Sequence, residues 1–441
     1  MGLRNNSEIK SPVIYLMLEI EKRELPARLF LAKHLLTRFS KVIIFQHSDL
    51  NHISMFSKPG IIIFKSLPKV FEPSVVLLKR RGFTILLHHE EGLHLNDSST
   101  TDISISNNEL DKIEHYFAWQ KFDKDFAIRM GIPEEKISVV GNVRFQIASQ
   151  MQKISSPPLD QLKILVLENI WDLKEKPSKK PKKNNDEILK LIEDNKLINQ
   201  NNSRNRRLYH DLYVGLRQLK VEFSVRNYSY GRSKSDNSLE MVPLDTTYSI
   251  TDAIIEKNII IHYGSTAALE SILAGRISVL LTSPQNKIDK RIEQASVVFY
   301  NAQDALTFIS NFSLNSLKSL NNSQKESIIL NYGLDYSNID TASLIAKIIE
   351  PMSVYNRDNF YSNFIFVFHY FLINLKGFLA RMIKRSFVTN KIYTQKSLKF
   401  SREVILRELE KLGYQTNKYI IEIKRRGKQV IISKNTTSQH V

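Results

Sequence analysis

Residues 88–92, with the sequence His-His-Glu-Glu-Gly, bring two imidazoles and two carboxylates to one point of the chain. They directly follow an apolar run at 83–87 that predicts a buried strand. A carboxylate after a strand end, Glu90 or Glu91, could act as the general base that takes the proton of an attacking hydroxyl. A metal site and a polar loop without chemistry are the alternatives. Neighbouring residues on an extended chain point to opposite faces, which argues against convergence on one ion.

Residues 259–278 predict a buried strand that ends at His262, a sharp turn at Gly264 and a short helix. Ser265 or Thr266 would cap this helix. The N-terminus of a helix presents unpaired N–H groups and a partial positive charge, which suit a phosphate. Glu270 lies on the same helix face as Thr266, where its carboxylate could bind ribose hydroxyls. The pattern predicts a nucleotide site, and a plain strand–turn–helix packing unit is the alternative.

Two other strand ends carry candidate binding residues. Asn142 and Arg144 follow the strand predicted at 137–140, after a glycine that suits a tight turn. Arg226 follows the strand predicted at 221–225. Arg144 could meet an anionic ligand, with a surface arginine as the alternative, and Arg226 is a cation at a strand end of the second lobe.

Short apolar runs alternate with helical patterns along most of the chain, which indicates an α/β fold with mostly parallel sheets. We predict two Rossmann-like lobes that face a cleft, residues 1–156 and 157–350, with a helical C-terminal extension over 351–441. A chain of 441 residues is long enough for this division. The finer expectations include a helix at 187–192, a polar asparagine-rich stretch at 199–207 and a strand at 240–242.

The composition favours an anionic partner, because the formal net charge is +18. Much of this charge lies in a lysine run at 174–183, which predicts a solvated loop, with a nucleic-acid-binding tract as the alternative. The absence of cysteine excludes disulfides, thiolate metal sites and cysteine nucleophiles. Residues 1–11 are polar and contain no secretory signal, so we expect a cytoplasmic protein.

Residues 360–387 are rich in aromatic side chains and end in a basic cluster of Arg381, Lys384 and Arg385. Polar residues interrupt the apolar run, so we do not expect it to span a membrane. An interfacial helix on an anionic membrane surface is one interpretation. A helix docked on the two lobes is the other.

An ordered set of short segments resembles the bacterial surface carbohydrate biosynthesis proteins. The segments are Glu19–Glu24, Glu90–Gly92, Tyr116–Trp119, Gly141–Arg144 and His262–Glu270, and the resemblance covers roughly residues 13–300. Proteins of this family are predicted GT-B-type glycosyltransferases, similar to Kdo and sialic acid transferases and to glycerophosphotransferases of teichoic acid synthesis. Two positions depart from the family pattern: His89 replaces an aspartate, and Arg226–Ser229 replaces an Arg-Pro-His-Pro segment.

The resemblance implies an acceptor lobe that contains Glu90 and Glu91. It also implies a nucleotide lobe in which Ser265, Thr266 and Glu270 bind the donor. We add Arg226, His262 and Gly264 to the predicted donor site, and we place Asn142 and Arg144 at the predicted cleft. We therefore expect a glycosyltransferase that uses a nucleotide-activated sugar, with a CMP-sugar as the suspected donor. The acceptor would be a cell-surface polysaccharide or a lipid-linked saccharide.

We expect no cofactor, no metal and no nucleic-acid partner, and a cytoplasmic location that extends to the inner membrane face. Polyol-phosphate transfer is a neighbouring alternative within the same class of enzyme. A non-catalytic membrane- or nucleic-acid-binding protein is the alternative from a different class.

Overall fold

Buried apolar strands organise the chain into two α/β units. The computed structural model describes residues 11–89, 111–154, 161–168, 203–227, 242–286, 288–333, 335–336, 338–352, 400–415, 418–424 and 428–434. One unit comprises Met1–Gln146 with Ile339–Val441, and the other comprises Ile147–Asn338. The sequence had placed the divisions at 156/157 and 350/351.

The first unit is built on an eight-stranded sheet with the order β12-β13-β2-β1-β3-β4-β5-β6. The isoleucine-rich third strand is buried at every position, as expected of a parallel strand with both faces covered. The strands are β1 (Val13–Leu18), β2 (Lys41–Gln46), β3 (Gly60–Phe64), β4 (Thr84–His88), β5 (His115–Ala118), β6 (Ile137–Val139), β12 (Tyr419–Lys424) and β13 (Gln429–Lys434). The first six run parallel to one another.

Helices follow the parallel strands of this unit, and two more come from the end of the chain. They are α1 (Glu21–Leu35), α2 (Leu50–Phe56), α3 (Glu72–Arg80), α4 (Lys121–Arg129), the start of α5 (Val143–Ile154), α12 (Thr341–Ile349) and α13 (Arg402–Lys411). Helix α12 packs against α1. Gln146 fixes its first turn, because the side-chain oxygen accepts from the Ala342 amide at 3.0 Å. This packing groups α12 with the first unit.

The region expected to be a helical extension, 351–441, also contains a hairpin of β12 and β13. Strand β13 pairs antiparallel with β2, with Val430 opposite Ile44. Helix α13 is held nearby, since the Tyr414 hydroxyl donates to the Leu29 carbonyl at 2.7 Å. The hairpin therefore extends the first sheet, and β12 forms its edge.

The second unit contains a five-stranded parallel sheet with the order β11-β10-β9-β7-β8. Its strands are β7 (Lys163–Glu168), β8 (Glu222–Asn227), β9 (Ile259–His262), β10 (Ile277–Leu281) and β11 (Val297–Phe299). Its helices are α6 (203–218), α7 (Ile250–Ile255), α8 (Ala267–Leu273), α9 (Lys290–Ala295), α10 (Ala302–Ser310) and α11 (Leu317–Tyr332). The predicted α/β class with two Rossmann-like sheets is confirmed.

Two local expectations differ from the structure. The asparagine-rich stretch runs into helix α6, whose buried residues Tyr209, Leu212, Tyr213 and Leu216 have helical spacing. The strand expected at 240–242 is not formed at its described residue, Val242, which lies in a bend. The helix expected at 187–192, the lysine run and the aromatic segment 360–387 lie outside the described residues.

Candidate functional site

The strand, turn and helix predicted over residues 259–278 are formed, and the turn directly follows β9. Gly264 has a φ of +70°, a left-handed conformation that favours glycine. A Cβ atom there would also lie 2.9 Å from the Ile288 Cδ1 atom. Ser265 supports the turn, since its Oγ accepts from the Ala267 amide at 3.2 Å. In open α/β sheets, ligands bind at this carboxyl edge of the strands.

Helix α8 follows the turn and leaves part of it open to solvent. Thr266 is the N-cap residue, and its side chain makes no capping hydrogen bond. Gly264, Ser265 and Thr266 are partly exposed, whereas Glu270 is only 1% exposed. The solvent-facing part of the predicted donor set therefore consists of residues 264–266.

His262 supports this turn from inside the sheet. The imidazole Nδ1 atom accepts from the Gly264 amide at 3.1 Å, and Nε2 lies 2.8 Å from the Ser278 Oγ. This arrangement assigns the proton to Nε2, which donates to Ser278. Burial lowers the pKa of His262 from 6.5 to about 3, so the ring is neutral at physiological pH. Its observed contacts fix the backbone of the turn at Gly264.

The depressed pKa of His262 predicts a measurable pH dependence of stability. Between pH 3 and 6.5 the His262 side chain is protonated in the unfolded chain and neutral in the folded chain. The contribution of the neutral His262 ring to the free energy of unfolding is therefore complete above pH 6.5. It falls by about 1.4 kcal/mol per pH unit as the pH decreases toward 3. A His262→Asn variant, which keeps an acceptor for Gly264, should lose this part of the slope. Urea denaturation of both proteins across this range measures it, and equal slopes would contradict the assignment.

Arg226 at the end of β8 is engaged with protein groups in the structure. Its Nη1 atom donates to the Asp245 carboxylate at 2.6 Å and to the Thr247 hydroxyl at 3.0 Å. Its Nη2 atom donates to the Tyr248 carbonyl at 3.0 Å. Arg226 thereby organises the loop that leads into α7, where the Ser249 Oγ accepts from the Asp252 amide at 3.0 Å. The predicted contact of Arg226 with a donor phosphate stays a prediction.

The first unit carries a second polar edge, at the carboxyl ends of β4, β5 and β6. Gly141 has a φ of +88°, and the Asn142 Oδ1 accepts from the Arg144 amide at 2.8 Å, which caps helix α5. The His88 Nε2 atom lies 3.0 Å from the Gly141 carbonyl oxygen. This contact joins the end of β4 to the turn after β6. The Arg144 side chain is buried, and Glu90 and Glu91 lie outside the described residues.

Two residues of this edge were not singled out as site residues by the sequence analysis. Trp119 and Gln120 directly follow β5, and Asp123 holds their loop by accepting from the Trp119 amide at 2.9 Å and the Tyr116 hydroxyl at 2.6 Å. Gln120 is the N-cap residue of α4, yet its side chain makes no capping hydrogen bond. The available signal was a polar side chain placed directly after a buried strand.

Within the described ranges, no group of three or more histidine, aspartate or glutamate side chains is arranged to hold a metal ion. None of the helices among these residues is long and apolar enough to cross a membrane.

No family model and no curated protein sequence matches the chain. A structure of the wall teichoic acid polymerase TagF, a variant soaked with CDPG, covers 77% of this chain and 88% of its own, with 8% identity and a TM-score of 0.50. MnaA from S. aureus with UDP has 11% identity and a TM-score of 0.46, and covers 73% of this chain and 96% of its own. A putative UDP-N-acetylglucosamine 2-epimerase from Listeria monocytogenes has 8% identity and a TM-score of 0.48, with 77% and 96% covered. The similarity to TagF shows that the chain has the GT-B-type fold.

Proposed function

We propose that the protein is a glycosyltransferase that moves a sugar from a nucleotide-activated donor to a saccharide acceptor. The observation that carries the proposal is the partly exposed turn at residues 264–266, at the carboxyl edge of a parallel sheet and the start of α8. The motif resemblance and the GT-B-type fold support it, although a fold by itself does not determine an activity.

The proposed reaction is a displacement at the anomeric carbon of the donor sugar. An acceptor hydroxyl oxygen forms a bond to that carbon, while the bond from the carbon to the phosphate oxygen breaks. Glu90 or Glu91 takes the hydroxyl proton. The nucleotide leaves with the electron pair on its phosphate, stabilised by backbone N–H groups at Ser265 and Thr266 and by Arg226 after its present contacts rearrange. Preorganised dipoles and cations of this kind can stabilise the leaving group without a metal.

Polyol-phosphate transfer is the second candidate. The neighbour with a TM-score of 0.50 is a wall teichoic acid polymerase, and its structure was obtained after a soak with CDPG. In this reaction the acceptor hydroxyl would attack a phosphorus atom, and a nucleoside monophosphate would leave. Glu90 or Glu91 would again take the hydroxyl proton, and the turn at Ser265 and Thr266 would again stabilise the leaving phosphate.

We propose a lipid-linked saccharide or a cell-surface polysaccharide as the acceptor. A lipid-linked saccharide would place the enzyme at the inner membrane face, and the aromatic segment 360–387 with its basic end suits an anionic surface. A polysaccharide acceptor would not require this contact.

A nucleotide screen tests the proposed function. Binding of a preferred nucleotide to the folded state alone raises the melting temperature by mass action. The panel would contain CMP, CDP, UDP, GDP, their sugars and CDP-glycerol. A CMP-sugar is the expected donor, and preference for CDP-glycerol would select the second candidate. Failure of every compound to stabilise the protein would contradict both.

Replacement of Thr266 by valine should weaken nucleotide binding by about 1–3 kcal/mol, the usual cost of losing a buried hydrogen-bond partner. The fold should be little affected, because the Thr266 side chain makes no capping bond in the structure. Titration calorimetry with the nucleotide selected by the screen measures the loss. Thr266→Ser is the matched control, since it keeps the hydroxyl and should bind nearly as well as the wild type. Unchanged affinity in the valine variant would remove this turn from the donor site.

A further inference from the structure

Three neutral side chains at the carboxyl edge of the first sheet carry buried polar atoms without a hydrogen-bond partner. They are the Trp119 indole nitrogen, both amide atoms of Gln120 and the Asn142 Nδ2 atom, and no described residue pairs with any of them. Trp119 and Asn142 are fully buried, and Gln120 is 1% exposed.

Backbone contacts place the two segments that carry these residues side by side. The Gly141 amide donates to the Ala118 carbonyl at 3.3 Å, and the Val140 amide donates to the same oxygen at 2.9 Å. The turn that carries Asn142 therefore lies directly beside the segment that carries Trp119 and Gln120. The Trp119 ring also packs edge-on against Phe145, 5.2 Å away between centroids.

A cluster of unpaired buried polar atoms lowers the stability of the folded protein unless a bound molecule supplies the missing hydrogen-bond partners. A buried polar atom without a partner costs about 1–3 kcal/mol, and most buried polar groups in native proteins are paired. Gln146 is a direct contrast in the same unit. It is equally buried, and it pairs both amide atoms, donating to Asp340 at 2.9 Å and accepting from Ala342 at 3.0 Å. Gln120, by contrast, makes no capping hydrogen bond, although it is the N-cap residue of α4.

The chemistry of the three groups indicates the class of ligand. The Gln120 amide supplies both donors and an acceptor, while the indole N–H and the Asn142 Nδ2 supply donors only. None of the three is charged. A hydroxyl group both donates and accepts, so neighbouring hydroxyls of an uncharged sugar match this set.

We infer that Trp119, Gln120 and Asn142 form a binding subsite for the hydroxyl groups of a neutral saccharide. The inference rests on the proposed function only in identifying that saccharide as the acceptor. Binding itself depends on the three side chains alone.

The tryptophan content of the chain allows a direct test. The sequence contains two tryptophans, Trp119 and Trp171, and the second lies outside the described residues. In a full-length Trp171→Phe variant, Trp119 is the only tryptophan that emits. We expect its emission to change, with saturation, when glucose, galactose or N-acetylglucosamine is added, and to change less with inorganic phosphate.

Two matched glutamine variants in this background separate binding from packing. Gln120→Met should weaken the saccharide response at least tenfold and leave the melting temperature equal or higher, because it removes unpaired polar atoms. Gln146→Met should lower the melting temperature, because it breaks two hydrogen bonds. A merely structural Gln120 would make the two variants behave alike.

The inference is overturned if none of the three sugars changes Trp119 emission, as when buried water satisfies these groups. It is also overturned if the response survives Gln120→Met or if phosphate gives the stronger response. These outcomes are independent of the nucleotide screen. A sugar response without nucleotide binding would remove the proposed function and leave the subsite, and the reverse result would remove the subsite alone.

Discussion

Replacing Lys65 with methionine is expected to lower the free energy of unfolding of the first unit by about 3–5 kcal/mol, the usual cost of breaking a buried ion pair. Lys65 is 1% exposed, and its Nζ atom lies 2.9 Å from the carboxylate of Glu24 and 2.7 Å from that of Glu19. Glu24 is fully buried. The variant would leave the Glu24 carboxylate buried without its lysine partner. Urea denaturation near neutral pH measures the loss.

The penalty should shrink in acid, and the sign follows from the pKa of Glu24. Burial raises this pKa, but the positive charges of Lys65, Arg23 and Arg28 outweigh burial and hold it well below its usual range. The ion pair therefore contributes fully above the ordinary carboxyl pKa, and its contribution is lost as the pH falls. In the variant the carboxyl protonates more readily, which reduces the difference from the wild type.

Lys163→Met is the control, because Lys163 is 30% exposed and 3.6 Å from a half-exposed Glu222. Such a pair should contribute less than about 1 kcal/mol. Comparable losses of unfolding free energy in the two variants would show that the buried ion pair stabilises the protein no more than the exposed one. The Lys65 cluster joins the ends of β1 and β3, at the same edge of the sheet as Gln120.

The sequence predicts the sheets of this protein well because their strands are short apolar runs buried on both faces. Strands β4, β6 and β9 lie within a residue of the positions expected at 83–87, 137–140 and 259–262, and the glycine turns at 141 and 264 have the expected positive φ. Both features depend on local chemistry. A buried strand needs uninterrupted apolar residues, and a left-handed turn favours glycine.

Features that depend on polar residues in buried positions were less predictable. The apolar spacing predicts helix α1 only from Leu25, whereas the helix begins at Glu21. The buried residues Glu21 and Glu24 are polar, so the first turn does not show the apolar periodicity of the rest. Helix α6 was missed because asparagines and arginines at its start obscure the spacing that its tyrosines and leucines show. Polar side chains in these helices are held by groups elsewhere in the fold.

The contacts of candidate site residues were even harder to predict from the sequence. The sequence identifies Arg226 as a cation at a strand end, but its bond to Asp245 joins residues from different segments, and periodicity carries no information about it. The sequence predicts His262 as a donor-binding residue, and it could not show that the imidazole accepts a hydrogen bond from the Gly264 amide. That the Gln120 amide has no partner among the described residues is evident only from the structure, because sequence periodicity does not show which groups surround it.

A Glu90→Gln or Glu91→Gln substitution is expected to reduce turnover by roughly 10²–10⁴-fold, the usual contribution of a general base. Only one of the two should do so, because neighbouring residues after a strand face different ways. The structure ends β4 at His88, on the sheet edge that also carries Asn142. Turnover would be measured with the donor that the nucleotide screen selects, and titration calorimetry should show unchanged donor affinity. Glu134→Gln, at an exposed glutamate of the same unit, is the control and should retain full turnover. If both Glu90→Gln and Glu91→Gln also retain it, the base lies elsewhere in the protein.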